Sequence, residues 1–155
     1  MLYLFDMDGT LITSFMTDPL KRYHVWETLP GRAEGIRSLL GAGDSIAIVT
    51  NQAGVAFYKN TVADAERKFR EVKVAVGLPE DTPVYVCYHH PSGRGKWREA
   101  KGAARRKPSG LMITEAMRDH GVAAEDTHYV GDMEVDEQAA AAAGVKFSWA
   151  DEFFA

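Results

Sequence analysis

An α/β fold on a doubly wound parallel sheet is predicted by two features of this 155-residue chain. Short apolar runs alternate with longer segments of helical period, the pattern of strands joined by covering helices. Three of those runs also end in polar clusters, and in an open sheet of this kind ligands gather beyond the carboxyl ends of the strands. The length suits one domain over residues 1–155, with no room for a second.

Candidate strands cover residues 2–5, 45–49, 84–87, 128–130 and 146–148. Residues 32–40 and 64–76 between them place apolar side chains at intervals of three and four, as do residues 111–120 before Gly121 offers a stop. Residues 136–143 are rich in alanine, a strong helix former that allows close packing. A short hairpin is expected around residues 13–23, and right-handed crossovers would assemble the sheet. The glycine-containing stretches 40–44 and 91–95 read as loops within one domain, and no internal repeat is found.

Hydrophobic residues at 46% and charged residues at 26% are ordinary for a soluble globular protein, and no apolar run reaches the length of a membrane span. The start turns acidic too early for a signal peptide, so a cytoplasmic protein is expected. Cys87, the one cysteine, rules out an internal disulfide framework. A net charge of −4 gives no global attraction to nucleic acid or to anionic membrane.

The first strand ends in Asp6-Met7-Asp8-Gly9-Thr10. A buried strand avoids charge unless the charge is paired or bound to metal, so two acids there suggest a cation site or an acid/base pair. A solvated Asp-Gly turn is the bland alternative. Thr50 and Asn51 follow the second strand, and Gly131, Asp132 and Asp136 follow the fourth.

Four segments in order, Asp6-Met7-Asp8-Gly9-Thr10, Val49-Thr50-Asn51-Gln52, Arg106-Lys107-Pro108 and Gly131-Asp132-Met133-Glu134-Val135-Asp136, resemble the motifs of the haloacid dehalogenase superfamily of phosphotransferases. The Thr-Asn-Gln and Arg-Lys-Pro forms are similar to its small, cap-poor branch of histidinol-phosphate, heptose-bisphosphate and polynucleotide 3′-phosphatases. The resemblance implies a Rossmann-like core with a minimal cap, and a Mg²⁺-dependent phosphomonoester hydrolase. It implies Asp6 as nucleophile and Asp8 as general acid and base. The metal would be held by the Asp6 carboxylate, the Asp8 backbone carbonyl and Asp132, with Asp136 behind them orienting a water or a neighbouring side chain. Lys107 would neutralise the phosphoryl group and hold the nucleophile, while Thr50 and the backbone around Asn51 would hydrogen-bond its oxygens. Arg106 matches the family's phosphate-contacting arginine, whose fork suits a second phosphate or a nucleotide.

The chemistry requires these residue types. A carboxylate attacks a phosphate anion only once a cation has relieved their repulsion, and Mg²⁺ takes oxygen ligands while keeping several waters. A covalent aspartyl-phosphate divides one hard displacement into two easier ones. Residues two apart on an extended strand share a side, so the Asp-x-Asp spacing can aim both groups into one cleft.

The segment from Cys87 to Lys107 departs from the heptose-bisphosphate branch, which the resemblance would give a structural zinc. Cys87, His89 and His90 could supply part of such a site, but Ala103 and Arg105 stand where the other ligands would fall, and no zinc is expected. Between Arg94 and Lys107 lie seven basic residues and the single acid Glu99. That stretch is a solvated surface or a collar for substrate. Trp97 within it would stack on substrate or anchor the loop, and Trp149 reads as packing.

A phosphorylated sugar, nucleotide or related metabolite is thus the expected substrate, with a 3′-phosphate on a nucleic-acid end as alternative. A non-catalytic phosphate-binding regulatory module is a further alternative, and a phosphotransferase would differ only in the acceptor. No membrane partner is expected.

Overall fold

The computed structural model describes residues 1–155. Five parallel strands, β1 (Leu2–Phe5), β2 (Ser45–Asn51), β3 (Val84–Cys87), β4 (Thr127–Gly131) and β5 (Lys146–Trp149), form one sheet in the order β3-β2-β1-β4-β5. The main helices are α1 (Arg32–Gly41), α2 (Val62–Val76), α4 (Leu111–His120) and α5 (Glu134–Ala143), with one-turn helices α3 (Ala100–Ala103) and α6 (Ala150–Phe153). This is the α/β architecture expected from the alternation. No helix is long and apolar enough to cross a membrane.

Period-two alternation sorts the sheet into two cores. Phe5, Ile46, Ile48 and Val130 face Ile36 of α1 and Ala65, Phe69, Val72 and Val76 of α2. Leu2, Leu4, Ala47, Val49 and Tyr129 face Met112, Ile113 and Ala116 of α4 and Ala139 and Ala140 of α5. The chain runs outward from β1 through β2 to β3 with its helices on one face, then crosses back to β4 and β5 with its helices on the other. Two opposite directions on two opposite faces are what a single hand for all four crossovers requires. The order in which strands are laid down reverses between β1 and β4, and there the strand ends open a crevice.

Several boundaries move for local reasons. The α2 helix begins at Val62 because Thr61 caps it: its Oγ1 accepts from the Asp64 amide at 3.1 Å, and Asp64 Oδ2 accepts from the Thr61 amide at 2.9 Å. Strand β2 continues through Thr50 and Asn51 because they pair with Val86 and Cys87 of the edge strand. The alanine face of α5 admits close contact, since a Cβ on Gly110 would lie 2.9 Å from the Ala143 nitrogen.

The hairpin expected around residues 13–23 does not form. Leu11 and Thr13 instead exchange backbone hydrogen bonds with Leu29 and Glu27, closing an excursion whose only regular piece is a 3₁₀ turn, Phe15–Thr17. Polar side chains satisfy nearby backbone, Ser14 accepting from the Met16 amide, Thr17 donating to the Ser14 carbonyl and Asp18 accepting from the Arg22 amide, and Asp18 takes up Arg22 as a bidentate pair, so no ladder is needed there. Arg32, itself buried, ties this excursion to the chain end: its Nε donates to the Thr10 carbonyl at 2.7 Å and its Nη2 to Asp151 at 2.9 Å.

Candidate active site

Register brings the polar clusters together. Phe5 lies level with Ile48 and Val130, so Asp6 emerges beside Val49 and Gly131. Its amide donates to the Val130 carbonyl at 3.0 Å. Its carboxylate, buried, accepts from Lys107 Nζ at 2.8 Å on Oδ1 and from Thr10 Oγ1 at 3.2 Å on Oδ2. Thr10 Oγ1 also stands 3.3 Å from Asp132 Oδ1, so one hydroxyl spans the two acids.

Lys107 is the hub. From the loop before α4 its ammonium reaches Asp6 Oδ1, Asp136 Oδ1 at 2.7 Å, the Val49 carbonyl at 3.1 Å and the Tyr129 hydroxyl at 2.8 Å. Burial alone would lower its pKa, but Asp6 and Asp136 outweigh burial and hold it raised, so the ammonium stays charged. Burial raises the Asp6 carboxyl well above its ordinary value, against the pull of Lys107, and burial likewise raises Asp132. Asp136 is buried behind this pair, with Oδ2 accepting from the amides of Asp132 at 3.2 Å and Met133 at 3.1 Å, and Oδ1 from Lys107 and from Tyr129 at 2.8 Å.

Asp6, Asp132 and Asp136 offer carboxylate oxygens within 4.8 Å of one another. Three carboxylates face the single ammonium of Lys107, an excess of two negative charges when all are ionised, and one divalent cation would neutralise it. An oxygen-only donor set suits a hard cation. Asp136 spends both oxygens on an ammonium, a tyrosine hydroxyl and two backbone amides, whereas Asp132 has no charged partner and Asp6 Oδ2 has only the 3.2 Å contact from Thr10, so Asp132 and Asp6 Oδ2 are the more open to a cation. The Asp8 carbonyl is also available: the Met7 carbonyl takes the amides of Thr10, Leu11 and Ile12, and that of Asp8 takes none.

Asp8 lies on the other side of the cleft. Its Oδ1 accepts from Lys68 Nζ at 3.0 Å and its Oδ2 from Gln52 Nε2 at 2.9 Å. Gln52 also donates to Thr50 Oγ1 at 2.9 Å, while the Thr50 hydroxyl has only a 3.4 Å contact for its own proton. Asn51 spends its side chain on the backbone of Lys107, accepting from its amide at 3.0 Å and donating to its carbonyl at 3.2 Å. It thereby fixes the loop that delivers the lysine.

The basic stretch divides. Arg105 forms a bidentate pair with Glu115 at 2.8 and 2.7 Å, Lys107 enters the cleft, and Arg94, Lys96, Arg98 and Lys101 are exposed. Arg106 is half-buried with its Nη1 buried and lacking any hydrogen-bond partner. Such an orphan donor is rare unless a ligand completes it. Trp97 anchors the loop edge-on to His89 at 5.2 Å and to Tyr88 at 5.9 Å. The His89 ring packs so closely on Gly102 that a Cβ there would stand 2.5 Å away, and burial raises the Cys87 thiol. Trp149 packs edge-on to Phe147 at 5.0 Å.

Sequence reasoning gave no role to Lys68, Gln52, Tyr129 or Thr10. Lys68 had a signal: it falls three residues after Ala65 and four before Val72, inside the apolar stripe of α2. Tyr129 alternates onto the face of β4 that looks toward Lys107, but nothing local says what its hydroxyl meets.

The parallel sheet and the acids gathered at its β1/β4 crevice define a phosphatase of the haloacid dehalogenase type. The family model described as polynucleotide kinase 3 phosphatase matches residues 1–155, and the chain belongs to that family. Among curated relatives, the D-glycero-beta-D-manno-heptose-1,7-bisphosphate 7-phosphatase of Pseudomonas putida is 28% identical over 94% of this chain and 79% of its own. That of Pseudomonas aeruginosa is 31% identical over 91% and 75%. Among solved structures, the D,D-heptose 1,7-bisphosphate phosphatase of B. bronchiseptica, complexed with magnesium and phosphate, superposes with a TM-score of 0.72 at 28% identity, covering 94% of this chain and 78% of that one. A HAD-like phosphatase of Mesorhizobium loti gives 0.75 at 26% identity, covering 92% and 68%.

Proposed function

We propose that residues 1–155 act as one domain that hydrolyses a phosphomonoester of a phosphorylated sugar with Mg²⁺ as cofactor. The observation that carries this reading is the Asp6–Lys107 pair facing Asp132 across a crevice in which three clustered carboxylates share one ammonium. When bound to Asp6, Asp132 and the Asp8 carbonyl, Mg²⁺ would supply charge neutralisation and polarise the phosphoryl oxygens.

An Asp6 oxygen attacks phosphorus, forming the carboxyl–phosphorus bond as the bond to the leaving oxygen breaks. Asp8 gives its proton to that oxygen, then takes one from the water that attacks the aspartyl-phosphate, releasing phosphate and restoring Asp6. Lys107 holds Asp6 in line and offsets charge on the phosphoryl group, and the loosely engaged Thr50 hydroxyl is free to donate to it. Asp136 acts through Lys107 and the Asp132 loop.

The sugar-phosphate reading is supported by the heptose-bisphosphate activity named for the relatives and by the orphan Nη1 of Arg106, which suits a second anionic group. A 3′-phosphate on a nucleic-acid end is the second reading, favoured by the exposed Arg94, Lys96, Arg98 and Lys101. A Mg²⁺-dependent phosphate-release screen over sugar mono- and bisphosphates, histidinol phosphate, nucleotides and 3′-phosphorylated oligonucleotides tests both. Sugar phosphates are expected to lead. A preference for oligonucleotides that falls steeply with salt would reverse the order. Asp6→Asn is expected to abolish turnover in a folded protein, and retained turnover would defeat the mechanism.

A further inference from the structure

Lys68 is 3% exposed, projects from the middle of α2, and has Asp8 as its one carboxylate partner, with Nζ 3.0 Å from Oδ1. The Tyr23 ring covers the ammonium with its centroid 4.1 Å away, and the Tyr23 hydroxyl donates to Gln52 Oε1 at 3.3 Å. A buried ammonium is retained only where its partner compensates the lost water, so the helix interior holds this lysine for Asp8.

The two oxygens of Asp8 are held unequally. Lys68 grips Oδ1 with a charge-assisted bond from a buried stem, whereas Oδ2 accepts from the neutral Gln52 amide, which also serves Thr50. The neutral contact is the weaker. We propose that Lys68 is a positioning residue: it pins Oδ1 as an acceptor, so that Oδ2 is the oxygen that releases Gln52, carries the proton and donates it to the leaving oxygen of the substrate. This rests on the assignment of Asp8 as general acid made above.

Positioning of an acid is felt only where the leaving oxygen needs a proton. The test is therefore the ratio of kcat/KM for the alkyl phosphomonoester turned over fastest in the screen to that for p-nitrophenyl phosphate, whose phenolate departs unprotonated. Because kcat/KM ends at the first irreversible step, it reports phosphorylation of Asp6, and a ratio taken on one preparation is independent of its folded fraction. Asp8→Asn is expected to lower the ratio about 100-fold, the scale of a positioned acid. Lys68→Met is expected to lower it about tenfold, and Lys68→Arg to recover part of that loss, on the scale of a misplaced catalytic group. An unchanged ratio in Lys68→Met beside a lowered one in Asp8→Asn would overturn the role of Lys68 alone. An unchanged ratio in Asp8→Asn would overturn the acid assignment, and the proposal with it.

Discussion

Gly9 and Asp132, 123 positions apart in the chain, approach so closely that a Cβ on Gly9 would stand 2.0 Å from Asp132 Oδ2. Gly9 also holds φ at +85°, where a side chain is strained. The turn that ends the first motif is thus shaped around an acid of the last. Gly9→Ala is expected to displace Asp132 and to cost about 1–2 kcal/mol in backbone strain alone. Phosphate release should fall at least about 100-fold, since a misplacement near 1 Å is worth that much. Thermal melts and Mg²⁺ titration of the variant would show both effects.

Lys107 pairs with two buried carboxylates, so its loss strands both. Lys107→Met is expected to destabilise the fold by about 3–5 kcal/mol, the scale for breaking a buried pair by removing one partner. Urea unfolding measures it. Recovery of stability in the double variant with Asp136→Asn would show that the stranded charge is the cause.

Tyr129 touches Lys107 and Asp136 but no position open to substrate. Burial pushes its hydroxyl well above the ordinary range, so it remains a neutral donor at every working pH. Tyr129→Phe should cost roughly 1–3 kcal/mol, the range for leaving buried polar groups unsatisfied. Its effect on activity should be in kcat, with KM near that of the parent, because the substrate contacts are intact.

Mg²⁺ bound between Asp6 and Asp132 should raise the thermal midpoint in proportion to the logarithm of its concentration once past saturation. Excess EDTA should reverse the rise and Asp132→Asn should remove it. Elemental analysis of the purified protein is expected to show no stoichiometric zinc, because Cys87 is a buried, raised-pKa thiol donating weakly to the His89 and Gly102 carbonyls. One tightly held zinc per chain would contradict this.

His128 sets a pH dependence away from the cleft. Burial first, then Lys146, lowers its pKa to about 4 from 6.5, and its Nε2 contacts Ser148 Oγ at 2.7 Å. Between those values the unfolded chain binds the extra proton and the folded one does not. Its contribution is therefore neutral above pH 6.5, and stability drains as pH falls from 6.5 toward 4. His128→Phe, which suits the neighbouring Tyr3 and Phe153 rings, should flatten the difference between urea unfolding at pH 7 and pH 5.

The five strands and four long helices could be read from the sequence because they are set by local pattern: a continuous apolar run over residues 2–5, three-and-four spacing over residues 64–76. Helix α4 is bounded as expected because Gly121 ends it in a left-handed turn. The excursion over residues 13–23 was not legible, since the side-chain bonds of Ser14, Thr17 and Asp18 to nearby backbone serve an irregular loop as well as a hairpin.

By itself the sequence determined the strands and helices and their succession along the chain, because local pattern carries that information, and its resemblance to family motifs singled out Asp6, Asp8, Lys107 and Asp132. Only the tertiary structure decided which charge answers which. Lys107 must serve Asp6 and Asp136 from one buried ammonium, and Lys68 must leave an apolar stripe to meet Asp8, because pairing of buried charges depends on distances across elements that no local spacing encodes.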